Sequence, residues 1–389
     1  MIQEERQLLI ERQLEKSNRF LLQADEINHT TFMKKDFIKL LAVSVLFIAT
    51  LSGCNDPKPK PKNENFSVGV IVMNEGNWHA NNASLTAYDL TRKETVADYF
   101  AEKNGRGLGD VANDALIYGS KLYVVVNISS LVEVIDTATG KSLQQISLFN
   151  EKGIAREPRR VCSHNGKIYV CCFDSTVLRI DTALLQVEAM GKAGLNPDGI
   201  AASDGKLYVS NSGGLNYPDY GTTVSVMDPN SLTVLKTIPV RINPVKSSAD
   251  GLHHVWVMSW GDYDTQKACI QCIDTQTDSV VATFDESVSD FDIHNNIVYL
   301  LCSDYSDPWL ACKSIDAISF RMETLFEKTS LTTPYNLNIR PSDGSIWICD
   351  ALDYSSFGNV YCFDRQGNEL HRFEAGNCPG HIVFYRSKK

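Results

Sequence analysis

Five short stretches of this chain set large aromatic side chains beside amides and carboxylates. They read Glu75-Gly-Asn-Trp78-His79-Ala-Asn81-Asn82, Asn211-Ser-Gly-Gly-Leu-Asn216-Tyr217-Pro-Asp219-Tyr220, Trp260-Gly-Asp262-Tyr263-Asp264, Asp304-Tyr305-Ser-Asp307-Pro-Trp309 and Asp350-Ala-Leu-Asp353-Tyr354-Ser-Ser-Phe357. Flat aromatics give much contact area for little lost entropy, and short amides satisfy polar edges. Such a set suits a rigid organic ligand with a polar rim. The candidate ligand-binding residues are Trp78, Asn81, Asn82, Asn216, Tyr217, Tyr220, Trp260, Tyr263, Tyr305, Trp309, Tyr354 and Phe357. The competing reading is that each aromatic folds back to stabilise its own loop.

Signatures of catalysis are missing from the same inventory. There is no Gly-x-Ser-x-Gly elbow, no His-Glu-x-x-His and no phosphate loop. His79, His253, His254, His294 and His381 are dispersed. The pairs Asp262/Asp264, Asp304/Asp307 and Asp350/Asp353 offer the hard oxygens that Ca²⁺ takes, but at no recognised loop spacing. Turn carboxylates are the expectation. No catalytic residue, metal ligand or cofactor is assigned.

Most of the 11 cysteines fall inside β-type runs, where they act as small apolar residues. Cys269-Ile-Gln-Cys272 has the spacing of a metal knuckle, but i and i+3 of a strand face opposite sides. Adjacent Cys171-Cys172 has the form of the vicinal disulfide of some quinone-dependent dehydrogenases, yet successive strand residues also diverge. Cys302/Cys312 and Cys349/Cys362 each flank one hairpin. A cross-strand bridge fits either, and free thiols are the expectation.

The elements that must position the five stretches repeat. Aspartates 89, 136, 181, 228, 274, 316 and 364 each close a short β-type run, at gaps of 47, 45, 47, 46, 42 and 48 residues. Upstream of most lies a turn followed by a β-rich run with one aromatic, as in Gly119-Ser-Lys-Leu-Tyr123-Val and Gly344-Ser-Ile-Trp347-Ile. Upstream again is a lead-in run, often with proline, as at Pro158, Pro197, Pro244, Pro334 and Pro379. A last run follows each aspartate. One period therefore reads as four strands, and a period in the forties with four strands predicts a seven-bladed β-propeller. The aromatics are expected between blades, and the aspartates as turn caps. The first period, from Phe66, lacks a lead-in strand, and Pro379–Arg386 is a lead-in strand with nothing after it. The C-terminal strand should complete the N-terminal blade and close the ring. In that geometry the five stretches join second to third strands and share one face.

The first 65 residues read differently. Met33-Lys34-Lys35 precedes a 12-residue apolar stretch, Leu40 to Leu51, too short to span a bilayer as a helix. It ends Leu51-Ser52-Gly53-Cys54, which resembles the lipobox of bacterial lipoproteins. The expected organisation is an upstream extension over 1–32 (a start codon assigned too early), a signal peptide over 33–53, lipidated Cys54, a Pro/Lys tether over 54–65 and the propeller over 66–389. Alternating Pro-Lys favours an extended tether. The chain holds 37 basic and 47 acidic side chains, and no basic stripe that could hold nucleic-acid phosphates.

Val72-Met-Asn74-Glu75-Gly76-Asn77-Trp78, with Asn81-Asn82-Ala83-Ser84-Leu85 and Tyr88-Asp89, resembles the opening blade of the YncE-like seven-bladed lipoproteins of Bacteroidetes. That family includes cobalamin-capturing surface proteins of the BtuG type. The resemblance implies a monomeric propeller, lipid-anchored at the outer membrane on its surface or periplasmic side. It implies a non-catalytic protein that hands a small ligand, such as cobalamin or another corrinoid, to a TonB-dependent transporter. The alternatives are a protein- or glycan-binding envelope scaffold and a metal-dependent periplasmic hydrolase or lactonase.

Overall fold

Valine, isoleucine and aromatic residues alternate between turns rich in Gly, Asn and Asp, so the chain pairs with itself hairpin by hairpin. The computed structural model describes residue 67 and residues 69–304, 307–328 and 331–385, the side chains of 304, 307–310 and 328 excepted. The leader read over 33–53, Cys54 and the tether over 54–65 lie outside the described residues.

The strands form seven four-stranded antiparallel sheets. Six follow chain order from inner to outer strand. In the other, C-terminal Pro379–Phe384 pairs with Val70–Asn74, which continues to Ser84–Asp89 and Glu94–Val96. The molecule is a closed seven-bladed β-propeller. From this first blade onward, the inner strands are Pro379–Phe384, Ala112–Tyr118, Pro158–His164, Pro197–Ser203, Pro244–Ala249, Val288–His294 and Pro334–Ile339. Each neighbours the next around the axis, and the last neighbours the first.

The core is divided. Seven apolar clusters fill the seven gaps between adjacent blades. Tyr123, Tyr169, Tyr208, Trp256, Tyr299 and Trp347, one from each of six second strands, are buried in six of them. Where the ring carries a polar tip, it finds a partner in several blades: Tyr208 Oη donates to Asp278 Oδ1 at 2.6 Å, and Trp347 Nε1 to Ser345 Oγ at 2.9 Å. Each blade also ends its third strand with the same device. Asp136 Oδ1 accepts from the N–H groups of Ala138 and Thr139, and Asp316 Oδ1 from those of Ile318 and Ser319. The same two-bond turn occurs at Asp89, Asp181, Asp228 and Asp274, and Asp364 makes a longer version, accepting from the N–H groups of Gln366 and Asn368.

All ten cysteines among the described residues are free thiols. Strand alternation explains the separation of two pairs. Cys171 faces the gap between blades three and four, whereas Cys172 faces that between two and three. Cys302 and Cys312 also occupy different gaps. Cys349 and Cys362 share one gap and stay reduced. Burial pushes the Cys171 and Cys302 thiols up to about 12, so they are packing groups rather than nucleophiles.

The loop expected over 304–309 is partly strand, since Asp304 and Asp307–Trp309 belong to the second and third strands of blade six. The hairpin of blade six continues, Asp304 pairing with Asp307, and Trp309 lies within the strand Asp307–Asp316. The ladder absorbs the extra residues by a register shift at Ser303/Asp304 instead of ending there. Tyr305 lies outside the described residues, as does the side chain of Trp309.

Candidate functional site

The loops joining second to third strands, and those joining successive blades, share one face of the ring. Each inner strand is tied to this face in the same way. The residue before its start offers its carbonyl to the first N–H beyond the second strand: Val111 to Asn127, Asn196 to Ser212 and Asn243 to Trp260, for example. In five blades that residue has positive φ, from 43° at Asn196 to 62° at Asn243. Asn accepts this conformation more readily than most side chains.

The predicted aromatics split into two groups on this face. On blades four and five, Tyr217 is exposed and meets the buried Tyr220 edge-on at 6.1 Å. Tyr220 in turn meets Tyr263 at 5.9 Å, and Asn243 Nδ2 donates to Tyr263 Oη at 3.2 Å. Trp260 packs against the core between blades five and six, so it is a structural residue. Asn216 is exposed.

On blades seven and one, Tyr354 meets Tyr335 edge-on at 5.8 Å, and Tyr335 Oη donates to Glu75 Oε2 at 2.8 Å. Asn77 Nδ2 donates to the Tyr354 carbonyl at 2.5 Å. Asn82 Oδ1 accepts from the Asn77 N–H at 2.7 Å and so staples its own loop. Gly76 permits this turn: at φ 77°, a Cβ would meet Asn82 Oδ1 and Ala83 N at 2.6 Å. Trp78 (45% exposed), Asn81 and Phe357 (55% exposed) reach solvent. The described candidates thus divide into Tyr220, Tyr263, Tyr354, Trp260 and Asn82, which build loops, and Trp78, Asn81, Asn216, Tyr217 and Phe357, which face outward.

Loop carboxylates are engaged too. Asp262 accepts from the N–H groups of Asp264 and Gln266, which hold its carboxyl down at about 2. Asp350 accepts from those of Thr332, Thr333 and Leu352. Among the described residues, no three His, Cys, Asp or Glu side chains converge as a metal-ligand set.

Two features of the face are not in the sequence prediction. First, Phe149 and Ile154, between blades two and three, and Leu195 and Leu215, around blade four, are exposed in loops. The loops of Leu195 and Leu215 touch: the Gly213 N–H donates to the Leu195 carbonyl, and that of Leu215 to Asn196 Oδ1. Their signal is weak, since lone apolar residues in polar loops are common. Second, a polar layer lines the axis. Every inner strand bulges after its first residue. The residues that follow the bulge are His381, Asp114, Arg160, Gly199, Lys246, Asp290 and Asn336, one per blade.

An inner strand has no ladder partner on its axial side, so its free N–H groups need acceptors. The preceding blade supplies several. The Val161 N–H donates to Asp114 Oδ2 at 2.9 Å, Leu337 to Asp290 Oδ2 at 2.8 Å, and Ile339 to Asp292 Oδ2 at 2.7 Å. Lys246 Nζ donates to Asp290 Oδ1 at 2.6 Å. Arg159 Nε donates to Asp198 Oδ1 at 2.7 Å while its guanidinium lies 4.4 Å over the Phe173 ring. Burial holds the Asp292 carboxyl above its usual range. Burial, with Lys246 and Arg160 adding to it, lowers His381 and keeps it neutral.

A closed ring of seven four-stranded blades defines the class of protein: a seven-bladed β-propeller, a fold that carries many unrelated functions. Residues 68–375 match the domain of unknown function DUF5074, and the chain belongs to that family. Its fold is similar to that of a quinonprotein alcohol dehydrogenase-like protein from Bacteroides thetaiotaomicron, at 16% identity and TM-score 0.63, covering 83% of this chain and 79% of that one. It is also similar to a protein from Bacteroides uniformis described as a candidate 6-phosphogluconolactonase, at 11% identity and TM-score 0.60, covering 82% of this chain and all (100%) of that one. At such identities the likeness is one of fold. No curated protein matches the chain in sequence.

Proposed function

We propose that this protein is a non-catalytic binding lipoprotein that captures a small organic ligand on its loop face for an outer-membrane transporter. The observation behind this reading is the outward set Trp78, Asn81, Asn216, Tyr217 and Phe357 on one side of a ring. Loop side chains that do not fill a core are free to serve a ligand. The opening-blade resemblance suggests a corrinoid as ligand, lipid anchorage at Cys54 and a TonB-dependent partner. Titration with cyanocobalamin, followed by calorimetry and absorbance, tests it. Saturable heat at micromolar ligand is expected, with Trp78→Ala and Tyr217→Ala each weakening binding about tenfold. No heat and no spectral change would remove the corrinoid, leaving other ligands to be screened on the same face.

The exposed apolar residues Phe149, Ile154, Leu195 and Leu215 favour a second reading, a protein-docking scaffold of the envelope. Co-purification from native membranes separates the two. Recovery with a transporter supports capture, and recovery with structural envelope proteins supports the scaffold. The lactonase names of some fold neighbours add a hydrolase to the alternatives, and metal analysis of the purified protein addresses it.

A further inference from the structure

Nine buried side-chain nitrogen and oxygen atoms find no hydrogen-bond partner among the described residues. Buried polar atoms are seldom left so. Three of the nine belong to one register position on the axis: Arg160 Nε, Asn336 Oδ1 and His381 Nδ1. They come from blades three, seven and one, so chain proximity does not group them. The ring does.

Arg160 is the unusual member. Among the described residues, no hydrogen bond or ion pair reaches its guanidinium. Burial opposes its charge, but Asp114, Asp198 and Asp290 together outweigh that and hold it protonated. These carboxylates sit on the inner strands of blades two, four and six, and Arg160 holds the position after the bulge on the inner strand of blade three. All three are already engaged. Asp114 accepts from the N–H groups of Ala115 and Val161, Asp198 from Arg159, and Asp290 from Lys246, Asn336 and the Leu337 N–H. The next blade carries Gly199 at the equivalent position, so no side chain there covers the fork. The buried Nε–H of Arg160 thus stands without a partner beside carboxylates that are already engaged, and the planar fork of a guanidinium matches the paired oxygens of a carboxylate or phosphate.

We propose that the axis of the ring holds a small organic acid or phosphate, whose oxyanion accepts from Arg160 and whose hydroxyl donates to Asn336 Oδ1. Neutral His381 Nδ1 lies beside this position, 3.9 Å from Asp114 Oδ1, and offers a further contact. The site stands on inner strands, not on the loops, so it is independent of the ligand face and its failure leaves that reading untouched.

Phenylglyoxal labels accessible guanidinium groups, and peptide mass spectrometry locates the label. In the full-length protein, glycolate or inorganic phosphate should slow labelling of Arg160 about tenfold at nine-tenths occupancy. The exposed Arg372 should label at an unchanged rate. Protection by glycolate identifies a carboxylate ligand, and protection by phosphate alone identifies a phosphate. Equal labelling with and without both anions would overturn the proposal. If Arg160 is not labelled under any condition, the melting-temperature comparison decides, since phenylglyoxal is bulkier than either anion. In parallel, the protecting anion should raise the wild-type melting temperature above that in chloride of equal ionic strength, and Arg160→Gln should abolish this rise. A rise that persists in a folded Arg160→Gln variant sinks the assignment. If that variant does not fold, the labelling result on the wild type decides alone.

Discussion

The third-strand turns and the inner strands come from the same repeat, yet they diverge in opposite ways. Seven turns use one aspartate each, six of them with the same pair of backbone N–H bonds. Seven inner strands carry histidine, aspartate, arginine, glycine, lysine, aspartate and asparagine at one register position. A turn is solved locally, so one solution serves every copy. The axis is a single shared space, and seven identical charges there would repel one another. Opposed, interlocking residues are the stable arrangement, and each becomes dependent on its neighbours.

The comparison predicts that lesions near the axis cost more than lesions at the turns. Deleting residues 378–389 removes the inner strand of the first blade. It strips Ile382 and Val383 from their gaps at about 1.5–3 kcal/mol each, and ladder hydrogen bonds at about 1 kcal/mol each. That rivals the whole stability of a typical protein, so no cooperative melt by circular dichroism is expected. A truncated chain with wild-type melting would break the ring-closure argument.

Asp290→Ala should cost about 3–5 kcal/mol in urea unfolding, because it leaves Lys246 buried without its counter-charge and orphans the Leu337 N–H. Asp136→Ala removes one turn device and should cost about 1 kcal/mol. Equal losses for the two would erase the distinction between axis and turn.

The smallest effect is in the pH response, and it separates the regions by window. Hydrogen bonds hold turn carboxylates down, Asp181 to about 2 through Lys167 and the N–H groups of Leu184 and Ala183. The folded state then gives up its proton more readily than the unfolded one. This stabilisation is full above the ordinary carboxylate range and is lost as pH falls through it towards about 2. His381 acts earlier. Burial lowers it, so as pH drops below about 6.5 the unfolded chain takes up a proton that the folded chain refuses. Stability therefore falls in that window too. His381→Gln should flatten the upper phase of the urea midpoint against pH, and Asp181→Asn the lower.

Much of the architecture is legible in particular residues. The spacing of the aspartates counts the blades, and the unmatched lead-in strand at Pro379 declares the closure. The aromatics of the second strands announce the gaps they fill. The loop face is legible only in part. Tyr217 and Tyr220 have the same type and lie three residues apart, yet one is exposed and the other buried between Tyr217 and Tyr263. At 304–309, loop-like composition conceals a continuing hairpin, because a register shift leaves no mark on residue type.

Sequence alone determined a sevenfold ring, its turns and its stacked aromatics, since these depend on contacts within one repeat and recur with its period. Only the tertiary structure decided which loop aromatics face outward and which polar residues meet at the axis. Those neighbours stand a blade or more apart in the chain, and closure of the ring is what sets them side by side.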